Sequence, residues 1–117
     1  GEQIVQVTEN GKQSHTRICV LEQLDGCTLI EAEPVTGRTH QIRAHAAYYK
    51  HAVLGDPKYQ RDGSRDQWRA RGINGLCLHS RSIGFKGATG HQVTVVARIP
   101  DPMYRFLVKS GCDPEVY

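Results

Sequence analysis

The densest concentration of side chains able to do chemistry is Thr36-Gly37-Arg38-Thr39-His40-Gln41-Ile42-Arg43-Ala44-His45. A β-rich run delivers the chain to a glycine, and a helix then begins among polar and cationic residues. The unpaired N–H groups at a helix start, with Arg38 and Thr39 beside them, suit an anion such as phosphate. Arg43 falls on the first helical turn, about 100° round from Ile42. Ala47, one turn on, is too short to shield it, so the guanidinium can reach off the helix and grip a carboxylate or phosphate with two donors. Taken alone, Arg43 reads equally as a surface arginine in a modest ion pair. His40 and His45 are separated by about 140° of helix, so they cannot chelate one metal as an i, i+4 pair does. His45 is expected to pack or to hydrogen-bond instead, and Gly37 alone makes no phosphate loop.

The elements that must position this cluster are short. Gln3 to Thr8 reads as a strand followed by a turn at Glu9-Asn10-Gly11-Lys12, and Thr16 to Leu24 and Cys27 to Glu33 read as strands joined by Asp25-Gly26, a strong hairpin signal. Ile18-Cys19-Val20-Leu21 is apolar without alternation, which implies burial on both faces in the middle of a sheet. Thr39 is a fair N-cap for a helix to about Tyr49, with an apolar stripe of Ile42, Ala46 and Tyr49. Residues 60 to 75 lack periodicity and read as a charged loop with at most one helical turn. Leu76 to Phe85 and His91 to Arg98 form a second strand pair about Gly87-Ala88-Thr89-Gly90. Asp101-Pro102 then opens a second helix, with Met103, Phe106 and Leu107 on one face and Gly111 at its end. The fold class is therefore α+β, an antiparallel or mixed sheet with two helices.

With 117 residues and 38% hydrophobic residues, the chain suits one small domain or a piece of a larger one. It opens on Gly1-Glu2-Gln3 rather than Met, so something is expected to precede it. No apolar run approaches the roughly 20 residues of a membrane helix, and an intracellular setting, cytoplasmic or organellar, is expected. Cys19, Cys27, Cys77 and Cys112 show no close pair, so reduced, buried cysteines are expected rather than zinc ligands or disulfides. The net charge of +3 is uneven: Arg38 to Arg71 holds eight basic and three acidic residues, a local +5, against −2 elsewhere. Arginine outnumbers lysine ten to five, as suits planar phosphate contacts. Arg61, Arg65, Arg69 and Arg71 are candidate phosphate contacts, and Trp68 could stack on an unpaired base or pack beneath the loop.

The run Gly37-Arg38-Thr39-His40-Gln41-Ile42-Arg43-Ala44-His45, followed by Gly55-Asp56-Pro57-Lys58-Tyr59, resembles motif III of the RluA-type RNA pseudouridine synthases, G-R-T-H-Q-I-R-x-H and then G-D-x-x-Y-G. Weaker similarity covers Glu31 to Thr36, Leu76-Cys77-Leu78-His79 and Thr89-Gly90, so that it spans the chain from about Thr16 to Leu107. Departures include Gln60 for the glycine after the tyrosine, Lys86-Gly87 for His-Pro, and Ser80 for a common alanine. The resemblance implies isomerisation of uridine in ribosomal or transfer RNA: the glycosidic bond is cleaved, the base turns, and it is rejoined through C5 without a cofactor. It implies that Arg43 pairs with the catalytic aspartate, and that Arg38, Thr39, His40 and Gln41 lie at the rim of the uridine pocket or on the RNA backbone.

That aspartate belongs to an upstream H-R-L-D-x-x-T-S-G motif which this chain lacks. Gln23-Leu24-Asp25-Gly26 is a poor imitation, only 18 residues before Arg43 and reading as a hairpin tip. Asp56 belongs to a Gly-Asp turn, where bonding to nearby backbone is the ordinary role. The chain is thus expected to be the C-terminal part of a catalytic domain, inactive alone. Its expected partners are structured RNA and, at an exposed sheet edge such as Ile18 to Leu21, the missing N-terminal half or another chain. The alternative is an inactive relative that binds RNA or assists ribosome assembly, and the upstream motif separates the two.

Overall fold

Short β-rich runs joined by tight turns fold back on their neighbours, and they do so in the computed structural model, which describes residues 2–9, 12–37, 40–60 and 63–117. Strands β1 (Glu2–Glu9), β2 (Lys12–Leu24) and β3 (Cys27–Pro34) form an antiparallel sheet in that order. The Asp25-Gly26 turn closes the β2–β3 hairpin at the pair Leu24 and Cys27. The register shifts between Val20 and Glu22, which leaves Leu21 as a bulge. The expected turn at Glu9 to Lys12 lies partly outside the described residues.

Helix α1 (Gln41–Tyr48) follows β3, and a six-residue helix α2 (Arg65–Ala70) stands in the region read as loop. A second two-stranded sheet pairs β4 (Ser82–Lys86) with β5 (Gln92–Val96), and α3 (Asp101–Lys109) precedes a final 3₁₀ turn at Pro114–Val116. The class is α+β, as expected, and the described residues hold three α-helices rather than two. The β4 strand is shorter than its apolar run, because Cys77 donates its N–H to the Leu54 carbonyl at 2.9 Å instead of entering the ladder.

The apolar core is small. Ile73, Phe106, Leu107 and Cys112 are buried, with Leu24, Cys27, Leu29, Leu54, Trp68, Cys77, Ile99 and Tyr117 packed around them. Arg71 clasps the region together: its guanidinium carbon lies 4.5 Å from the Trp68 ring centre, and Nη1 donates to the Asp25 carbonyl at 2.8 Å. The Trp68 and Phe106 rings meet edge to face at 6.4 Å.

Two expectations are corrected here. Ile18 and Cys19 have no open edge, since β1 pairs with them on one side and β3 on the other. Val20 and Leu21 extend beyond the ladder with β1, and the faces are open as well: Val20 is 47% exposed opposite Ile30 at 38%, and on the β4–β5 ribbon Ile83 is 61% exposed opposite Val95 at 50%. The helical stripe of Ile42, Ala46 and Tyr49 does not form the buried face either. That face is polar, with Gln41 and His45 at i, i+4, while Tyr49 is exposed. Among the described residues no helix is long and apolar enough to cross a membrane.

Candidate active site around Arg43

The α1 helix is fastened to the sheet by hydrogen bonds rather than by an apolar stripe. Gln41 Nε2 donates to the His15 carbonyl at 2.5 Å and to Thr16 Oγ1 at 3.0 Å, and its Oε1 accepts from Thr36 Oγ1 at 2.7 Å. One turn on, His45 Nδ1 lies 2.8 Å from Thr16 Oγ1. Thr36 Oγ1 also accepts the His15 N–H at 3.1 Å, so the end of β3 and the start of α1 close on one buried network. Burial, and then the nearby His15, hold the pKa of His45 below its ordinary value, so the ring stays neutral at pH 7. Directed bonds of this kind fix the rotation of the helix, which an apolar contact does only loosely.

That rotation sends Arg43 to the opposite side, towards the Gly55–Gln60 turn. Arg43 Nε and Nη2 each donate to Asp56, to Oδ2 and Oδ1, at 2.8 Å. The Asp56 side chain is 0% exposed and that of Arg43 16%. Asp56 Oδ1 also accepts the backbone N–H groups of Lys58 at 2.9 Å and Tyr59 at 3.2 Å, the local turn expected of this aspartate. Arg43, with those two amides, holds the Asp56 carboxyl down at a pKa of about 2 against its ordinary 3.8. The Tyr59 ring completes the cradle, its centre 5.5 Å from the Arg43 guanidinium carbon.

The turn itself is braced by the residue that departs from the family pattern. Gln60 is buried, and its Oε1 accepts the Gly55 N–H at 2.8 Å. Gly55 adopts φ +79°, with the Gly75 carbonyl where a Cβ would stand. Only glycine fits this crossing, and the next residue is thereby aimed at Arg43.

The other candidate residues are placed as follows. Arg38, Thr39 and Arg61 lie outside the described residues. His40 is exposed at the N-cap of α1, in the left-handed conformation at φ 49°, and its carbonyl accepts the Ala44 N–H at 2.8 Å. Gln41 is turned inward, its amide committed to the network above. Arg65 and Arg69 project from α2 beside Gly55, Gln60, Ile73 and Asn74, which places them next to the turn that holds Asp56. Arg69 makes a loose 3.5 Å pair with Asp66 and is 59% exposed. Arg71 is spent on Trp68 and Asp25, and Trp68 packs under the loop. Sequence reasoning missed Asp56 as the partner of Arg43, Tyr59 beneath it, and Thr16 and Thr36 behind α1.

Residues 3–48 match the family model described as RNA pseudouridylate synthase. The ribosomal large subunit pseudouridine synthase C of Haemophilus ducreyi is 39% identical over 110 residues, 93% of this chain and 34% of the relative. That of Pasteurella multocida is 41% identical over 108 residues, 92% of this chain and 33% of the relative. This chain belongs to the RluA-type RNA pseudouridine synthase family. A solved structure, Human RNA Pseudouridylate Synthase Domain Containing 4, superposes with a TM-score of 0.67 at 19% identity, over 95% of this chain and 56% of that one, which shows the shared fold. The chain spans about a third of the length of the curated pseudouridine synthases it matches. The Arg43 cradle is built wholly from the two stretches that carry the family's motif.

Proposed function

We propose that this chain is the arginine-bearing part of the catalytic domain of an RNA pseudouridine synthase, with the catalytic aspartate supplied from upstream. The observation that carries the reading is Arg43, a guanidinium set on a hydrogen-bonded helix and held in two-point contact by a buried carboxylate. A cation so placed can hold a second carboxylate ionised and in position while the uridine glycosidic bond is broken and the base is rejoined through C5. The relatives' names speak of the large ribosomal subunit, which makes its rRNA the first substrate to test, with tRNA as the comparison. His40 binds RNA together with its sequence neighbours Arg38 and Thr39, and Arg61, Arg65 and Arg69 bind phosphates. Gln41 and Arg71 support that surface from behind. The apolar faces at Val20 and Ile30 and at Ile83, Phe85 and Val95 would be covered by the remainder of the domain.

The test is tritium release from RNA labelled at uridine C5. In the intact protein Arg43→Lys should bind RNA nearly as well as wild type and lose most turnover, because an ammonium cannot reproduce the guanidinium fork. The 117-residue chain alone should release none. Turnover by Arg43→Lys within about threefold of wild type would remove the assignment.

A further inference from the structure

We infer that Asp56 is a positioning residue for catalysis: it grips Arg43 side-on, so that the end of the guanidinium is presented to a second carboxylate. The inference rests on the function proposed above and deepens it. A guanidinium has two bidentate edges, the side formed by Nε and Nη2 and the end formed by Nη1 and Nη2. Asp56 occupies the side through Oδ2 and Oδ1, both at 2.8 Å. The end edge keeps both protons of Nη1 and the second proton of Nη2. The catalytic carboxylate that approaches Arg43 therefore has one two-point geometry left to it, and its direction is set before it arrives.

The surroundings suit this task better than simple bracing. An arginine side chain has four soft torsions and loses considerable entropy when fixed. Here the loss is taken in folding: Asp56 is 0% exposed, and its carboxylate is itself held by two backbone amides. Arg43 remains 16% exposed, so the pair is closed on the aspartate side and open on the arginine side. The Tyr59 ring, 5.5 Å away, restricts the plane of the guanidinium further. A pair that served only to join α1 to the turn would not require an ionised group beside solvent. The α1 helix is already tied down by Gln41 and His45 on its other face.

The experiment is a cycle of Asp56→Asn, Arg43→Lys and the double variant in the intact protein, with kcat and KM from tritium release and RNA affinity from filter binding. Asp56→Asn should lower kcat at least about tenfold, the scale expected when a reacting group is displaced by less than 1 Å, with KM and Kd within about twofold. The double variant should be no worse than Arg43→Lys alone, because Asp56 acts through Arg43. If Asp56→Asn does not stay folded, Asp56→Glu decides: it keeps the charge but shifts the guanidinium, and should lower kcat while its melting temperature stays near wild type. Wild-type kcat in a folded Asp56 variant, or independent losses that multiply in the double variant, would overturn the inference while the proposed function stands. Full activity of Arg43→Lys would instead remove the function on which it rests.

Discussion

Replacing Gly55 by alanine tests how closely the chain crosses behind the Arg43 cradle. The added Cβ would stand 1.9 Å from the Gly75 carbonyl oxygen and 2.5 Å from its carbon, both backbone atoms that cannot swing aside. The conformation at φ +79° adds about 1–2 kcal/mol of steric strain for a residue with a Cβ. Moving the Gly75 segment away stretches the 2.9 Å bond from the Cys77 N–H to the Leu54 carbonyl, worth about 1 kcal/mol. A stiffer unfolded chain returns about 0.5–1 kcal/mol. With the displaced contacts of the Asp56 turn added, the net loss should be about 2–4 kcal/mol. Gly72→Ala is the control: its φ is +98° but nothing lies within 4 Å, so only that strain, less the same return from the unfolded chain, should appear, a net loss of about 0–1.5 kcal/mol. Urea unfolding of the intact protein gives both values from midpoints at constant slope. If Gly55→Ala costs no more than Gly72→Ala, the close crossing is not what shapes the turn.

Two further outcomes are expected. Because the folded pKa of Asp56 is about 2 and its ordinary value 3.8, the ion pair contributes stability that is fully present above pH 4 and is lost as pH falls through about 2. The stability gap between wild type and Asp56→Asn, from urea midpoints at successive pH values, should therefore narrow by about 2 kcal/mol between pH 5 and pH 2, and a constant gap would refute it. Changing Arg65 and Arg69 together to glutamine should flatten the dependence of log RNA affinity on log salt by about 1 to 2, and an unchanged slope would make α2 an ordinary solvated face.

What was legible in the sequence follows from which interactions leave a local pattern. The Asp25-Gly26 hairpin was readable because its turn chemistry sits between two β-rich runs and needs nothing distant. The α3 helix announced itself through Asp101-Pro102 and an apolar face, and it begins at Asp101, one residue ahead of the expected cap arrangement. The buried face of α1 was misread because periodicity looks for apolar residues, whereas Gln41 and His45 are buried only because Thr16 and Thr36 satisfy them. The α2 helix, Arg65–Ala70, has no apolar stripe and is held by the packing of Trp68 and the clasp of Arg71, neither visible as spacing. Arg43 could be singled out from its neighbours, but Asp56 could not be joined to it. Thirteen residues separate them, and only the fold shows that the Gly-Asp turn lies against the helix.

The two kinds of interaction divide the labour in this chain. Among the described residues, the groups that order Arg43 directly or through α1 are His15, Thr16, Thr36, Gln41 and His45 behind the helix and Asp56, Tyr59 and Gln60 in front of it. Its apolar faces are a different matter, since Val20 with Ile30 and Ile83 with Val95 are paired across their strands and yet remain open. Apolar burial is undirected and tolerates completion by whatever segment covers it, whereas a bidentate ion pair has one geometry. On the function proposed here, such a chain sets the direction of its arginine locally, with hydrogen bonds, and leaves non-specific contacts to bring the remainder of the domain alongside. The orientation of Arg43 should then survive changes on the β4–β5 face that weaken the domain, and fail on changes at Asp56 that leave the core untouched.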